Sequence, residues 1–242
     1  MNFEIIDMYV TFGPWPTTRA ESPASKLSAV LKEQNVKQGL AISSLGILHN
    51  HIDGNNETLR VCQNDPLLTP VATIDPRGYF GKDGYPAKLA EQGFKMFRFF
   101  PQLQEWTADN YAFEEALDEV CETGLPVMIR AMKVGDPSTI ARKAAGKSNL
   151  FILEGVTYDN MAETMAVMRK HENILVDTRG LKVPAALKFL VDKIGADRIV
   201  FASGTLTESL AAEINYVLNA EIDDAAREKI FSGNAKRVIG GL

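Results

Sequence analysis

Five charged side chains between positions 98 and 179 carry the clearest chemical potential: Arg98, Arg130, Glu154, Asp177 and Arg179. Each stands at or just beyond the end of a short apolar run. A guanidinium fork matches a carboxylate two bonds at a time, and a carboxylate can serve as a base toward water. Two readings follow. The three arginines and two acids form a self-satisfied ion network, or one arginine is left to hold a substrate carboxylate while Glu154 or Asp177 activates water. Tyr9 adds a general acid or oxyanion donor if its pKa falls, or simply a hydrogen-bonded phenol. Backbone N–H groups after Ser203-Gly204-Thr205 can cradle an anion or act as an ordinary helix cap, and the cap is the simpler reading. Trp15 and Trp106, with Phe99, Phe100 and nearby prolines, would wall a pocket or cover the core rim.

Other chemistries are poorly supplied. There is no Gly-x-Ser-x-Gly elbow, no Walker loop and no Gly-x-Gly-x-x-Gly; Phe12-Gly13-Pro14-Trp15-Pro16 is not that turn. Only three histidines occur, His49, His51 and His171. His171 sits at a helix end, where it complements the helix dipole. His49-Asn50-His51-Ile52-Asp53 could hold a metal if extended, with alternate side chains on one face and an acid such as Glu154 or Asp177 completing the set. A solvated polar loop is the simpler reading. Cys62 and Cys121 read as reduced, buried thiols, which fits a cytoplasmic protein.

The elements that must place these groups alternate. Strands are predicted at Phe3–Val10, Gln38–Ser43, Thr69–Ile74, Phe94–Phe99, Pro126–Arg130, Leu150–Leu153, Ile174–Asp177 and Arg198–Ala202. Their nearly unbroken apolar character suits parallel strands covered on both faces. Helices are predicted at Pro23–Glu33 (capped by Ser22), Asn110–Glu122 (capped by Asp109), Asp136–Ala145, Tyr158–His171 with a core stripe of Met161, Met165 and Met168, Val183–Ile194 and Glu208–Leu218. A surface helix with charge pairs is predicted over Asp224–Ile230. Ser44–Leu68 shows no clear period. Eight strand–helix units in 242 residues imply one (β/α)₈ barrel over residues 1–242, with a doubly wound sheet as the alternative. Ligands then meet the carboxyl ends of the strands, which adds Asp7, Thr11, Ser43, Ser44, Asp75 and Arg77 to the mouth.

Several motifs in order carry a resemblance. Ile5-Ile6-Asp7-Met8-Tyr9-Val10-Thr11, Thr73-Ile74-Asp75-Pro76, Gly93-Phe94-Lys95-Met96-Phe97-Arg98, Gly124-Leu125-Pro126-Val127, Asp197-Arg198-Ile199-Val200-Phe201-Ala202-Ser203-Gly204 and Phe231-Ser232-Gly233-Asn234-Ala235-Lys236-Arg237 are similar to segments of the amidohydrolase-related (amidohydrolase 2) family. That group includes decarboxylases and lactonases. The resemblance implies an amidohydrolase-like barrel and a hydrolase. It also marks departures. Where the family has two metal-binding histidines on its first strand, this chain has Tyr9 and Thr11. Arg130 stands for the histidine of strand 5, Glu154 is near that of strand 6, and Gly204 stands for the aspartate of strand 8. A zinc site needs three or four N, O or S ligands, so no metal and no other cofactor is expected.

The combined expectation is a hydrolase or lactonase, metal-independent if active, with Asp177, Glu154 and Tyr9 as catalytic candidates. Arg98, Arg130, Arg179, Ser203 and Trp15 would bind a small carboxylate substrate or another small anion. The alternative is an inactive barrel that binds a small anion or a protein partner. Net charge is −5 with no basic tract, so nucleic acid is not an expected partner. No apolar run is long enough to span a bilayer, so neither is a membrane. Barrels of this kind commonly self-associate as homo-oligomers, but no apolar surface stripe identifies an interface.

Overall fold

The computed structural model describes residues 3–16, 22–183 and 185–240. Eight strands run β1 Ile5–Phe12, β2 Val36–Ser43, β3 Leu68–Thr73, β4 Met96–Phe99, β5 Val127–Arg130, β6 Phe151–Glu154, β7 Ile174–Asp177 and β8 Ile199–Val200. All neighbours pair in parallel and in sequence order. The ring closes because Met8 N–H donates to the Phe201 carbonyl at 2.9 Å and Gly204 N–H donates to the Tyr9 carbonyl at 3.0 Å. This is a (β/α)₈ barrel, and the open doubly wound alternative is excluded by that closure.

Two apolar layers form, as the pleat dictates. One set of alternate strand residues, including Phe97, Phe99, Ile129 and Leu153, packs outward beneath the helices. The other set points inward: Met96, Met128, Ile152, Leu175 and Val200 share the interior cluster. Two residues further along four of those strands stand Arg98, Arg130, Glu154 and Asp177. The same parity that buries the methionines therefore carries the charges into the barrel mouth. Among the described residues, no helix is long and apolar enough to cross a membrane.

The structure corrects several local expectations. Ser44–Leu68 holds two helices, Ser44–Leu48 and His51–Gln63. The second buries His51, Gly54, Asn55, Thr58 and Cys62. That spacing is helical, but those side chains are small or polar, so hydrophobic periodicity cannot reveal it. The two helices meet backbone to backbone, since a Cβ on Gly54 would lie 2.1 Å from Gly46 Cα. Gly54→Ala is therefore expected to lower the unfolding free energy, measured by urea denaturation, by about 1–3 kcal/mol or more.

Asn110, not Asp109, caps its helix by accepting from Ala112 N–H. Pro23 takes the cap position expected for Ser22 and offers no side-chain bond. The Asp224 helix ends at Glu228 and passes into a π-turn, Lys229–Gly233. Ile230 and Phe231 there are buried, not on the surface, and the Ile230 carbonyl accepts from Phe201 N–H at 3.0 Å. Trp106 lies in the outer core, its ring 4.9 Å from that of Phe113 and 6.4 Å from that of Phe99.

Candidate active site

Glu154 is fully buried and faces all three arginines. Arg98 Nη2 lies 2.5 Å from Oε2, and Arg98 Nε donates to the same oxygen at 3.1 Å. Arg179 Nη1 and Arg130 Nη1 both reach Oε1, at 2.6 Å and 3.4 Å. Burial alone would raise the Glu154 pKa, but the charges of Arg98, Arg130 and Arg179 outweigh it and hold the carboxyl below its usual range. Glu154 is thus a fixed carboxylate that organises the cations.

Arg98 is itself almost completely buried. Its guanidinium carbon sits 3.1 Å from the centre of the Tyr9 ring and 4.6 Å from that of Phe100. Arg179 faces Tyr9 as well, at 5.0 Å. Cations over an aromatic face contribute from about 0.5 to 2 kcal/mol when desolvated, so the Tyr9 ring is a platform for two of the three guanidiniums. Arg179 also engages Glu208, through Nε at 2.6 Å and Nη2 at 2.5 Å.

Asp177 is placed differently. Its Oδ1 accepts from Gly155 N–H at 2.9 Å, and its buried Oδ2 has no hydrogen-bond partner among the described residues. Burial, then the negative charge of Glu154, pushes its pKa up to about 7, against the Gly155 N–H and the charges of Arg179 and Arg98. The mouth therefore pairs one strongly acidic carboxyl with one that gains or loses its proton near neutrality.

The other expected residues are located as follows. Ser203 is buried, its hydroxyl donating to Asp7 Oδ2 and lying 2.7 Å from Thr205 Oγ1. Asp7 Oδ1 accepts from Ser203 N–H at 2.9 Å and Tyr9 N–H at 3.0 Å. These groups bind the first strand to the last. Trp15 packs against the interior cluster at the rim. Ser44 donates to the Pro14 carbonyl, Ser43 to Glu57, and Thr11 to the Thr205 carbonyl. Asp75 and Arg77 pair with each other at 2.8 Å. His49 ends one helix while His51 begins the next and stacks edge-on against Tyr85 at 5.8 Å. The segment is not extended, so the shared-face premise for a metal there is lost.

Asp7 supplies a pH effect. Burial raises its pKa to about 7 despite its bonds to Ser203 and Tyr9. A carboxyl with a raised folded pKa contributes its full stability below the unfolded value near 4 and loses it as pH rises through about 7. The contribution falls by roughly 2–3 kcal/mol between about pH 5 and pH 8. Asn can keep the Oδ1 bonds, so Asp7→Asn is expected to flatten this part of the urea-midpoint profile. An unchanged slope would show that Asp7 does not titrate there.

A divalent cation does not suit this donor set. Guanidiniums repel it, and the Tyr9 ring is covered by Arg98. A Cβ on Gly204 would lie 2.6 Å from Arg179 Nε, so Arg179 fills the space that a side chain at 204 would need. Among the described residues no three His, Cys, Asp or Glu side chains gather as a metal-holding group.

The amidohydrolase family model matches residues 63–241. The chain belongs to the amidohydrolase family. Solved structures agree on the fold of this chain. A Pseudomonas putida protein assigned as a 2-pyrone-4,6-dicarboxylic acid hydrolase superposes with a TM-score of 0.79 at 13% identity, over 99% of this chain and 98% of that one. An Acinetobacter baumannii protein of the same assignment, with citric acid bound, gives 0.70 at 15%, over 98% and 99%. The 5-carboxyvanillate decarboxylase of Novosphingobium aromaticivorans, a mutant holding manganese and a nitrobenzoic acid, gives 0.71 at 14%, over 99% and 97%. Among curated proteins, none matches this chain.

Sequence reasoning missed Glu208, Lys182 and Gln102. Glu208 follows β8 in the loop that also carries Ser203, and its pairing with Arg179, 29 residues away, left no local signal. Gln102 donates to Asp136 at 2.5 Å, just outside the arginine cluster.

Proposed function

We propose that this member of the amidohydrolase family is a metal-independent hydrolase of the lactonase type, acting on a small substrate that bears a carboxylate. The observation that carries the reading is Asp177: a buried carboxyl within the electrostatic reach of Arg179 and Arg98, with one oxygen unpartnered among the described residues and a pKa pushed up to about 7. A base so tuned holds its proton loosely enough to work at neutral pH. Asp177 takes a proton from water as the hydroxyl adds to the carbonyl carbon. The ring C–O bond then breaks, and the leaving alkoxide takes the proton back.

Arg130 and Arg179 are the partly exposed side of the cluster, with side chains 14% and 12% accessible. They meet a substrate carboxylate first. Arg130 Nε is buried and has no hydrogen-bond partner among the described residues. Arg98 and Tyr9 hold the floor, and Glu154 positions the arginines without serving as the base. The citric acid in the Acinetobacter barrel and the nitrobenzoic acid in the Novosphingobium enzyme support a carboxylate-binding mouth for this fold.

A panel of lactones and esters carrying a free carboxylate tests this. Turnover that survives chelation by EDTA is the expected result. No turnover above the buffer rate, or turnover lost to EDTA and restored by manganese, overturns it. The second reading, a barrel that binds a small anion without turning it over, is favoured by the tight burial of Tyr9 and Arg98. Thermal stabilisation by citrate with no hydrolysis of any panel member would establish that reading instead.

A further inference from the structure

We infer that Glu208 is an internal stand-in for the ligand carboxylate on Arg179, and that Lys182 is the cation to which Glu208 transfers when a ligand arrives. The inference rests on the carboxylate-binding reading of the mouth, but not on hydrolysis.

Arg179 has two working edges. Its Nη1 is held by buried Glu154. Its Nε and Nη2, the edge suited to a two-pronged carboxylate, both converge on a single oxygen, Glu208 Oε1. A free carboxylate could give that edge two oxygens, in the matched fork that arginine favours. Glu208 thus occupies the recognition edge without using it fully.

The two carboxylates on Arg179 are unequal. Glu154 is fully buried and has three cations, so removing it would strand charge in the interior. Glu208 is 31% exposed and lies in the loop before the helix Leu210–Leu218. Water can solvate it on release, so its bond to Arg179 is the easier one to exchange.

A receiving cation is already in place. Lys182 Nζ lies 3.5 Å from Glu208 Oε2, the oxygen that Arg179 does not hold, and it also pairs with Glu213. The Lys182 side chain is 48% exposed on a flexible stem. Glu208 can therefore turn from Arg179 to Lys182 without losing ionic contact. A ligand carboxylate takes the freed Nε–Nη2 edge, and no covalent bond changes.

Citrate is the probe, titrated calorimetrically at fixed ionic strength. Glu208→Gln removes the competitor while keeping the loop's size, and is expected to tighten citrate binding about tenfold. Lys182→Met removes the receiving cation and is expected to weaken binding several-fold in the wild-type background. It should have little effect on top of Glu208→Gln. A merely structural pair would instead weaken binding in every variant. The inference is overturned if Glu208→Gln binds citrate no more tightly than the wild type. Equal effects of Lys182→Met in both backgrounds overturn it too. Citrate binding to none of the proteins overturns both this inference and the carboxylate reading. Failure of the lactone panel alone leaves it standing.

Discussion

Glu154→Gln is expected to be the most destabilising single change at the mouth, at about 3–5 kcal/mol. The variant preserves shape and most volume, so packing is not the cause. It removes the one carboxylate that faces Arg98, Arg130 and Arg179 together. Arg98 has no surface to retreat to, being 1% exposed with its guanidinium against Tyr9 and Phe100. Arg179 would keep Glu208, and Arg130 sits nearest solvent. Arg98 is therefore the group that suffers most. Because the pairs are buried, the loss should change little between about 0.05 and 0.5 M salt. Urea denaturation at both salt levels checks this. A loss below about 1 kcal/mol would mean that the arginines are not organised by Glu154.

Asp177→Asn is expected to reduce kcat on a carboxylate-bearing lactone by about 10²–10⁴-fold, the range for loss of a general base. Stability should move the other way. Wild-type Asp177 is most favourable to folding when protonated, below its unfolded pKa near 4, and that contribution is lost as pH rises through about 7. Asn cannot ionise, so the variant should gain stability relative to wild type between about pH 5 and pH 8. Its Oδ1 still accepts from Gly155 N–H, in place of the aspartate bond seen here. Wild-type kcat should rise with pH through about 7, and the variant should keep only a low, flat rate. A variant with wild-type kcat would remove Asp177 from the chemistry, whatever its effect on folding.

The barrel was legible because its strands are nearly continuous apolar runs separated by helical segments. Strand bounds were one or two residues out, as with Phe3–Val10 for Ile5–Phe12 and Leu150–Leu153 for Phe151–Glu154. Such shifts do not change which face a residue takes. Arg98, Arg130, Glu154 and Asp177 could be gathered from the sequence because each stands at or just beyond the end of its apolar run.

What escaped the sequence depends on non-local contacts. Trp106 follows β4 as a pocket wall would, yet its indole N–H donates to Gln104 and its ring packs on Phe113. The His51–Gln63 helix buries polar and small residues because it crosses its neighbour at Gly46 and Gly54, a contact with no hydrophobic signature. Asn50 before it, capping Ile52 and Asp53, was the one local sign. The pairing of Arg179 with Glu208 joins the ends of β7 and β8. No spacing rule within either segment could have assigned it.

The measurement that bears most directly on the guanidinium–carboxylate mouth is an anomalous difference map from crystals grown in manganese at neutral pH. No anomalous peak is expected within the barrel mouth, with Arg98 still stacked on Tyr9 and paired to Glu154. A manganese ion coordinated there by side chains from β1, β5 or the end of β8 would contradict it.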